Sequence, residues 1–172
     1  MSFNILKYGA SQKNGTKKNQ YAIQAAVNAA FAEGGGTVYV PPGTYKTGNI
    51  CLKDNVTLYV ESGAVLLGSE DYNDYQLTDV EWPWVEMVGI PSNSSDSCET
   101  GFIYAVNSKN IGIDGHGIID GNGMDHLYFP NPEDPRKRRP HLLFFDKCED
   151  VFVNNITLKN PAMFSMFGSR SI

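Results

Sequence analysis

Two groups of residues in this chain have the types and spacing to do chemistry. The first is acidic: Asp114, Asp120 and Asp125 fall close together around Gly115-His116-Gly117. Two carboxylates facing each other across a cleft can divide the work of general acid and general base, and an imidazole beside them can relay a proton. However, Asp114-Gly115 and Asp120-Gly121 are Asp-Gly pairs, where a carboxylate commonly caps its own turn, so a turn role is expected for both acids. The second group is basic. Arg136-Lys137-Arg138-Arg139 runs directly into Pro140-His141. A guanidinium is a planar fork that matches a carboxylate bidentately, so Arg138, Arg139 and His141 are candidates for holding an acidic ligand. The rival expectation is a solvated loop that keeps an exposed strand edge from pairing.

These residues sit on a repeat. The run from Phe102 to Ile113 lies over the run from Leu142 to Val153 at a constant offset of forty residues. Each copy has an apolar strand, a polar turn closing on Asn110 or Asp150, a second alternating strand, and a short third strand ending in Ile119-Asp120-Gly121 or Leu158-Lys159-Asn160. The third strands pair at thirty-nine, which places one extra residue near His116-Gly117. Much of the forty is loop, because 122–140 is proline-rich and lacks periodicity. Short β-branched strands recurring at that period predict a right-handed parallel β-helix, whose coils hide their inner faces only by stacking.

Taken in order, 3–8 alternates like a short strand. Ala22, Ile23, Ala26, Val27, Ala30 and Phe31 form one helical stripe ended by Gly34-Gly35-Gly36. That helix is expected to cover the open first coil. Thr37-Val38-Tyr39-Val40 and Thr44-Tyr45-Lys46-Thr47 are strands meeting at Pro41-Pro42-Gly43, and 55–68 repeats the Asn-then-alternation pattern. Asn55, Asn110 and Asp150 should share a left-handed corner, which short amide and carboxylate side chains tolerate. The chain thus predicts one all-β domain over 1–172, with a single amino-terminal capping helix and long insertions at 69–100 and 122–140.

Bulk properties narrow the partners. A formal charge of −5 argues against nucleic acid. Cys51, Cys98 and Cys148 cannot all pair and lack zinc spacing, so reduced, structural thiols are expected. No phosphate-binding glycine loop, Ser/His/Asp set or metal cluster is evident, so no cofactor is expected. No apolar run is long enough for a membrane span or signal peptide, implying an intracellular protein or a chain that begins after a removed leader.

With Gly34-Gly35-Gly36-Thr37-Val38-Tyr39-Val40-Pro41-Pro42-Gly43-Thr44-Tyr45, Asn55-Val56-Thr57-Leu58, Ile119-Asp120-Gly121-Asn122-Gly123 and Arg139-Pro140-His141-Leu142-Leu143 in view, the chain resembles pectin-degrading β-helix enzymes. It looks most like the polygalacturonases of glycoside hydrolase family 28. That resemblance implies hydrolysis of galacturonan, with an acidic polysaccharide groove to which Arg138, Arg139 and His141 would contribute. Trp82 and Trp84 could stack on sugar rings or anchor the first insertion, and Glu86 could bond a sugar hydroxyl or face water. The family's Asn-Thr-Asp, Asp-Asp and Arg-Ile-Lys motifs are absent from these 172 residues, and Gly115-His116-Gly117 stands in a turn slot. The resemblance therefore implies an amino-terminal portion without catalytic residues, inactive alone. A non-catalytic binder, or a structural fragment like those of tailspikes or lyases, is the alternative. An uncapped carboxy-terminal coil is expected to self-associate.

Overall fold

The computed structural model describes residues 1–76, 100–123, 140–169 and 171. Its strands are β1 (Ser2–Asn4), β2 (Gly36–Val40), β3 (Gly43–Thr47), β4 (Ile50–Cys51), β5 (Val56–Val60), β6 (Ala64–Gly68), β7 (Gly101–Val106), β8 (Lys109–Gly115), β9 (Ile118–Asp120), β10 (His141–Asp146), β11 (Glu149–Val153), β12 (Thr157–Lys159) and β13 (Met166–Ser169). One helix, α1 (Thr16–Ala32), precedes β2. Three parallel sheets result: a first of β1-β2-β5-β8-β11, a second of β3-β6-β9-β12 and a third of β4-β7-β10-β13. From β2 onward each coil gives one strand to each sheet, so β2 to β4 are coil 1 and β11 to β13 are coil 4. No helix among the described residues is long and apolar enough to cross a membrane.

Period-two alternation drives this winding. Val56, Leu58 and Val60 point inward and are fully buried, while Thr57 and Tyr59 face out. Register turns those inward residues into columns. One runs Val38, Leu58, Ile113, Val153; a second runs Tyr45, Leu66, Ile119, Leu158; a third runs Ile50, Ile103, Leu143, Met166. The offset of forty recurs as Leu143 beside Ile103 and Val151 beside Ile111, and thirty-nine as Leu158 beside Ile119. Each column is buried through coil 3 and loosens in coil 4, where Met166 is 58% exposed.

The corners follow their expected chemistry. Asn55, Asn110 and Asp150 take φ of 60°, 51° and 52°, and the Asn110 amide donates to Asn55 Oδ1 at 3.0 Å, so the turn side chains form a ladder of their own.

Coil 1 would expose strand edges, and three devices cover them. In the first sheet, β1 pairs with β2. In the second, Asn19 of α1 donates to Lys46 O at 3.1 Å and Gln12 accepts from Thr44 N at 3.3 Å. In the third, Gln24 Oε1 accepts from Cys51 N at 2.9 Å while its Nε2 donates to Cys51 O at 3.0 Å. That amide makes the two bonds another strand would make.

Two expectations need correction, and one strand was not anticipated. The segment 3–8 is a strand only as far as Asn4, whose side chain accepts from Leu6 N and starts a 3-10 turn that Gly9 ends at φ 97°. Phe31 lies outside the buried helical stripe at 45% exposure, with the Lys53 ammonium 5.2 Å from its ring centroid. The residues Ile50–Cys51, too short for any periodicity, form β4. Cys51 and Cys148 carry free thiols, Cys148 buried, and Cys98 lies outside the described residues.

Replacing Leu58 with alanine should cost about 2–5 kcal/mol, since the cavity would open in mid-column. Val153→Ala, one end of the same column, should cost less than half as much; urea denaturation of both variants compares the two positions.

Candidate functional site

Both long connections run from a strand of the second sheet to a strand of the third, between β6 and β7 and between β9 and β10. Both connections therefore lead into a strand of the third sheet. On β10 the inward residues are Leu143 and Phe145, so Phe144 and Asp146 point outward. Register extends this face as two columns: Cys51, Tyr104, Phe144, Phe167, and beside it Val106, Asp146, Ser169.

His141, at the start of β10, stacks on this face. Its ring lies 5.9 Å from Phe144, 5.4 Å from Phe164 and 4.9 Å from Phe167, centroid to centroid, with planes within 9° to 14°. It is 2% exposed, and its Nδ1 has no hydrogen-bond partner. Burial disfavours the imidazolium and pulls the pKa down to about 4, so the ring is neutral at pH 7. The ring packs flat against three phenylalanines and so ties coil 4 to coil 3.

The acids are held apart by the sheets. Asp114 ends β8 in the first sheet, where Oδ1 accepts from Gly115 N at 2.8 Å and from the Asn155 amide at 3.4 Å. Asp120 ends β9 in the second sheet, where Oδ1 accepts from Asn122 N at 2.9 Å and the Asn160 amide at 3.0 Å, with Lys159 Nζ 3.8 Å from Oδ2. Each carboxylate caps a turn, and the two share no face. Asp125 lies outside the described residues.

His116 is exposed in the turn between β8 and β9. The glycines beside it have a steric cause. A Cβ on Gly115, whose φ is 118°, would sit 2.1 Å from Val60 O, and one on Gly117 would sit 2.5 Å from Val60 Cγ1. Close stacking on coil 2 accounts for the Gly-His-Gly sequence.

Trp82, Trp84, Glu86, Arg138 and Arg139 lie outside the described residues. Among the described ones no group of three or more His, Cys, Asp or Glu side chains could hold a metal. Asp146, 1% exposed on the outer face, went unnoticed in the sequence. A signal was available: its partner at offset forty is Val106, so a carboxylate replaces an apolar side chain in an otherwise matched strand.

Coils that each give one strand to three parallel sheets, stacked in this way, define a right-handed parallel β-helix. The model of the rhamnogalacturonase A/epimerase, pectate lyase-like family matches residues 2–168, and the chain belongs to that family. It is 39% identical over 120 residues to an exo-poly-alpha-D-galacturonosidase of Dickeya chrysanthemi, covering 70% of this chain and 19% of that protein. It is 30% identical over 154 residues to a probable polygalacturonase of Vitis vinifera, covering 86% of this chain and 30% of the relative. The solved family 28 exopolygalacturonase of Yersinia enterocolitica superposes with a TM-score of 0.73 at 26% identity, over 94% of this chain and 35% of that one. The chain therefore spans less than a third of the length of these curated relatives, and the polygalacturonase resemblance read from its motifs holds.

His141 makes stability depend on pH. Its folded pKa of about 4 lies below the unfolded value of about 6.5, so the stack's contribution is complete above about pH 6.5 and is lost as pH falls toward 4. The loss should be roughly 2–4 kcal/mol over that window. His141→Phe should flatten this part of the profile when unfolding free energy is measured by denaturant titration from pH 4 to 7.

Proposed function

We propose that this chain is part of a polygalacturonase-like glycoside hydrolase that acts on galacturonan, with the catalytic acids outside these 172 residues. The observation that carries the reading is the 39% identity to a galacturonan-named relative across 70% of the chain. Inverting hydrolysis needs two carboxylates roughly 6.5–9.5 Å apart on either side of a glycosidic bond. Asp114 and Asp120 belong to different sheets and are bonded to their own turns, so neither fits that task.

In this reading Arg138 and Arg139 meet the polymer's carboxylates, Trp82 and Trp84 stack on its rings and Glu86 accepts from a hydroxyl. A binder of acidic polysaccharide that does not cut is the second reading, and the turn-capping roles of both acids favour it for this chain taken alone.

The purified chain should release no reducing ends from polygalacturonate, yet bind oligogalacturonates in isothermal titration. Arg139→Ala should weaken that binding by about tenfold, the cost of one charge-assisted contact. Release of reducing ends by this chain would overturn the placement of the acids.

Self-association belongs to the same proposal. Coil 4 presents an open interior of about 330 Å³, lined by Phe145, Val151, Val153, Met166, Gly168 and Ser171. Sedimentation velocity should show a concentration-dependent dimer, and Val153→Lys should shift it to monomer by placing an ammonium in that face.

A further inference from the structure

A separate cleft of about 300 Å³ lies at the other end of the third sheet, where α1 passes beside β4 and β7. We propose that this cleft is a subsite for a uronic-acid unit, on the same outer face as His141 but toward coil 1. The inference rests on the galacturonan reading above and gives that polymer a second point of contact.

The cleft is preformed. Lys17, Gln20, Tyr21 and Gln24 line it from one face of α1, at helical spacings of three and four. Their amides are tied down. Gln20 donates to Asn49 O at 2.9 Å and to Asp74 O at 3.1 Å, while Gln24 holds both backbone groups of Cys51. Across the opening, the Asn49 amide donates to Gln76 O at 2.9 Å and to Thr100 Oγ1 at 3.1 Å, which fixes the segment after β6 against β4. The seam at its base admits only glycine: a Cβ on Gly48 would lie 2.2 Å from Asp74 O and 2.6 Å from Gln20 Oε1. With the walls cross-linked in this way, a ligand has little ordering left to impose.

The lining selects the ligand. It has no aliphatic side chain; it consists of amides, the tyrosines Tyr21 and Tyr104, Cys51, Lys17 and one acid. Apolar ligands gain nothing from such a surface. A polyhydroxylated ring does, because tyrosine faces pack on its C–H groups while hydroxyl and amide oxygens bond its hydroxyls.

Charge sharpens the choice. The Asp74 carboxylate is buried and accepts from Ser69 Oγ at 2.6 Å, so it is directed away from the opening. Lys17 stands exposed at the rim, and no acidic side chain among the described residues pairs with it. One ammonium over a hydroxyl-binding floor matches a sugar bearing one carboxylate, and is too little charge for a phosphate chain.

The test is titration of the whole 172-residue chain with digalacturonate and with its neutral counterpart, galactobiose, followed by calorimetry and by amide NMR shifts. Digalacturonate should bind, shifting the signals of Gln24, Cys51 and Tyr104, and galactobiose should bind about tenfold more weakly or not at all. Lys17→Glu should weaken digalacturonate binding by about tenfold, and Tyr21→Ala several-fold. Both side chains are exposed on the helix, Tyr21 at 69%, so both variants should melt at the wild-type temperature. If both variants bind like wild type, or the shifts fall elsewhere, the subsite is overturned while the galacturonan reading stands. Equal binding of galactobiose overturns the uronate assignment. Failure of wild type to bind any galacturonide, including longer ones, overturns both.

Discussion

Every strand from β2 to β10 has parallel neighbours on both sides except in coil 1, and no coil could satisfy its backbone or hide its apolar columns alone. That mutual dependence is the constraint under which everything else is arranged. It makes Val38, Leu58 and Ile113 one hydrophobic unit although they are far apart in sequence. It also sets the local sequence: Gly115 and Gly117 are required because coil 3 passes within contact of Val60 in coil 2. A motif that reads as chemistry in one dimension turns out to be spacing in three.

The same constraint decides where function can reside. Inward positions are committed to the columns, and the turns between the first and second sheets are short. The third sheet's outer face is left, on the strands that follow the long connections, with α1 beside β4. His141 shows how densely that face can pack. Its imidazole lies flat among Phe144, Phe164 and Phe167, trading its ability to carry charge for van der Waals contact.

Much of this architecture was legible in the chain because a repeat exposes its own register. Offsets of forty and thirty-nine give the pairing of coil 2 with coil 3 in the third sheet and of coil 3 with coil 4 in the other two, and the left-handed corners at Asn55, Asn110 and Asp150 follow from side-chain chemistry. Legibility failed where local signals compete with tertiary ones. Residues 3–8 alternate in hydropathy, but the Asn4 side chain captures Leu6 N and bends the segment into a 3-10 turn. Phe31 extends an apolar stripe that the coil beneath is too narrow to cover. The amide-lined cleft could not be read at all, because Gln20 and Gln24 look like ordinary solvated helix residues until β4 is seen to pass beneath them. The packing of His141 was illegible for a related reason: adjacency to a basic run says nothing about which neighbours close over a ring.

The Gln24 amide, standing in for a strand at Cys51, gives the molecule a polarity. Because β1, Gln12, Asn19 and Gln24 already bond the strand edges of the first turn, lengthening by duplication is blocked at that pole. A lineage built on this plan would diversify by accretion in a single direction, keeping its founding turn and varying the newer ones.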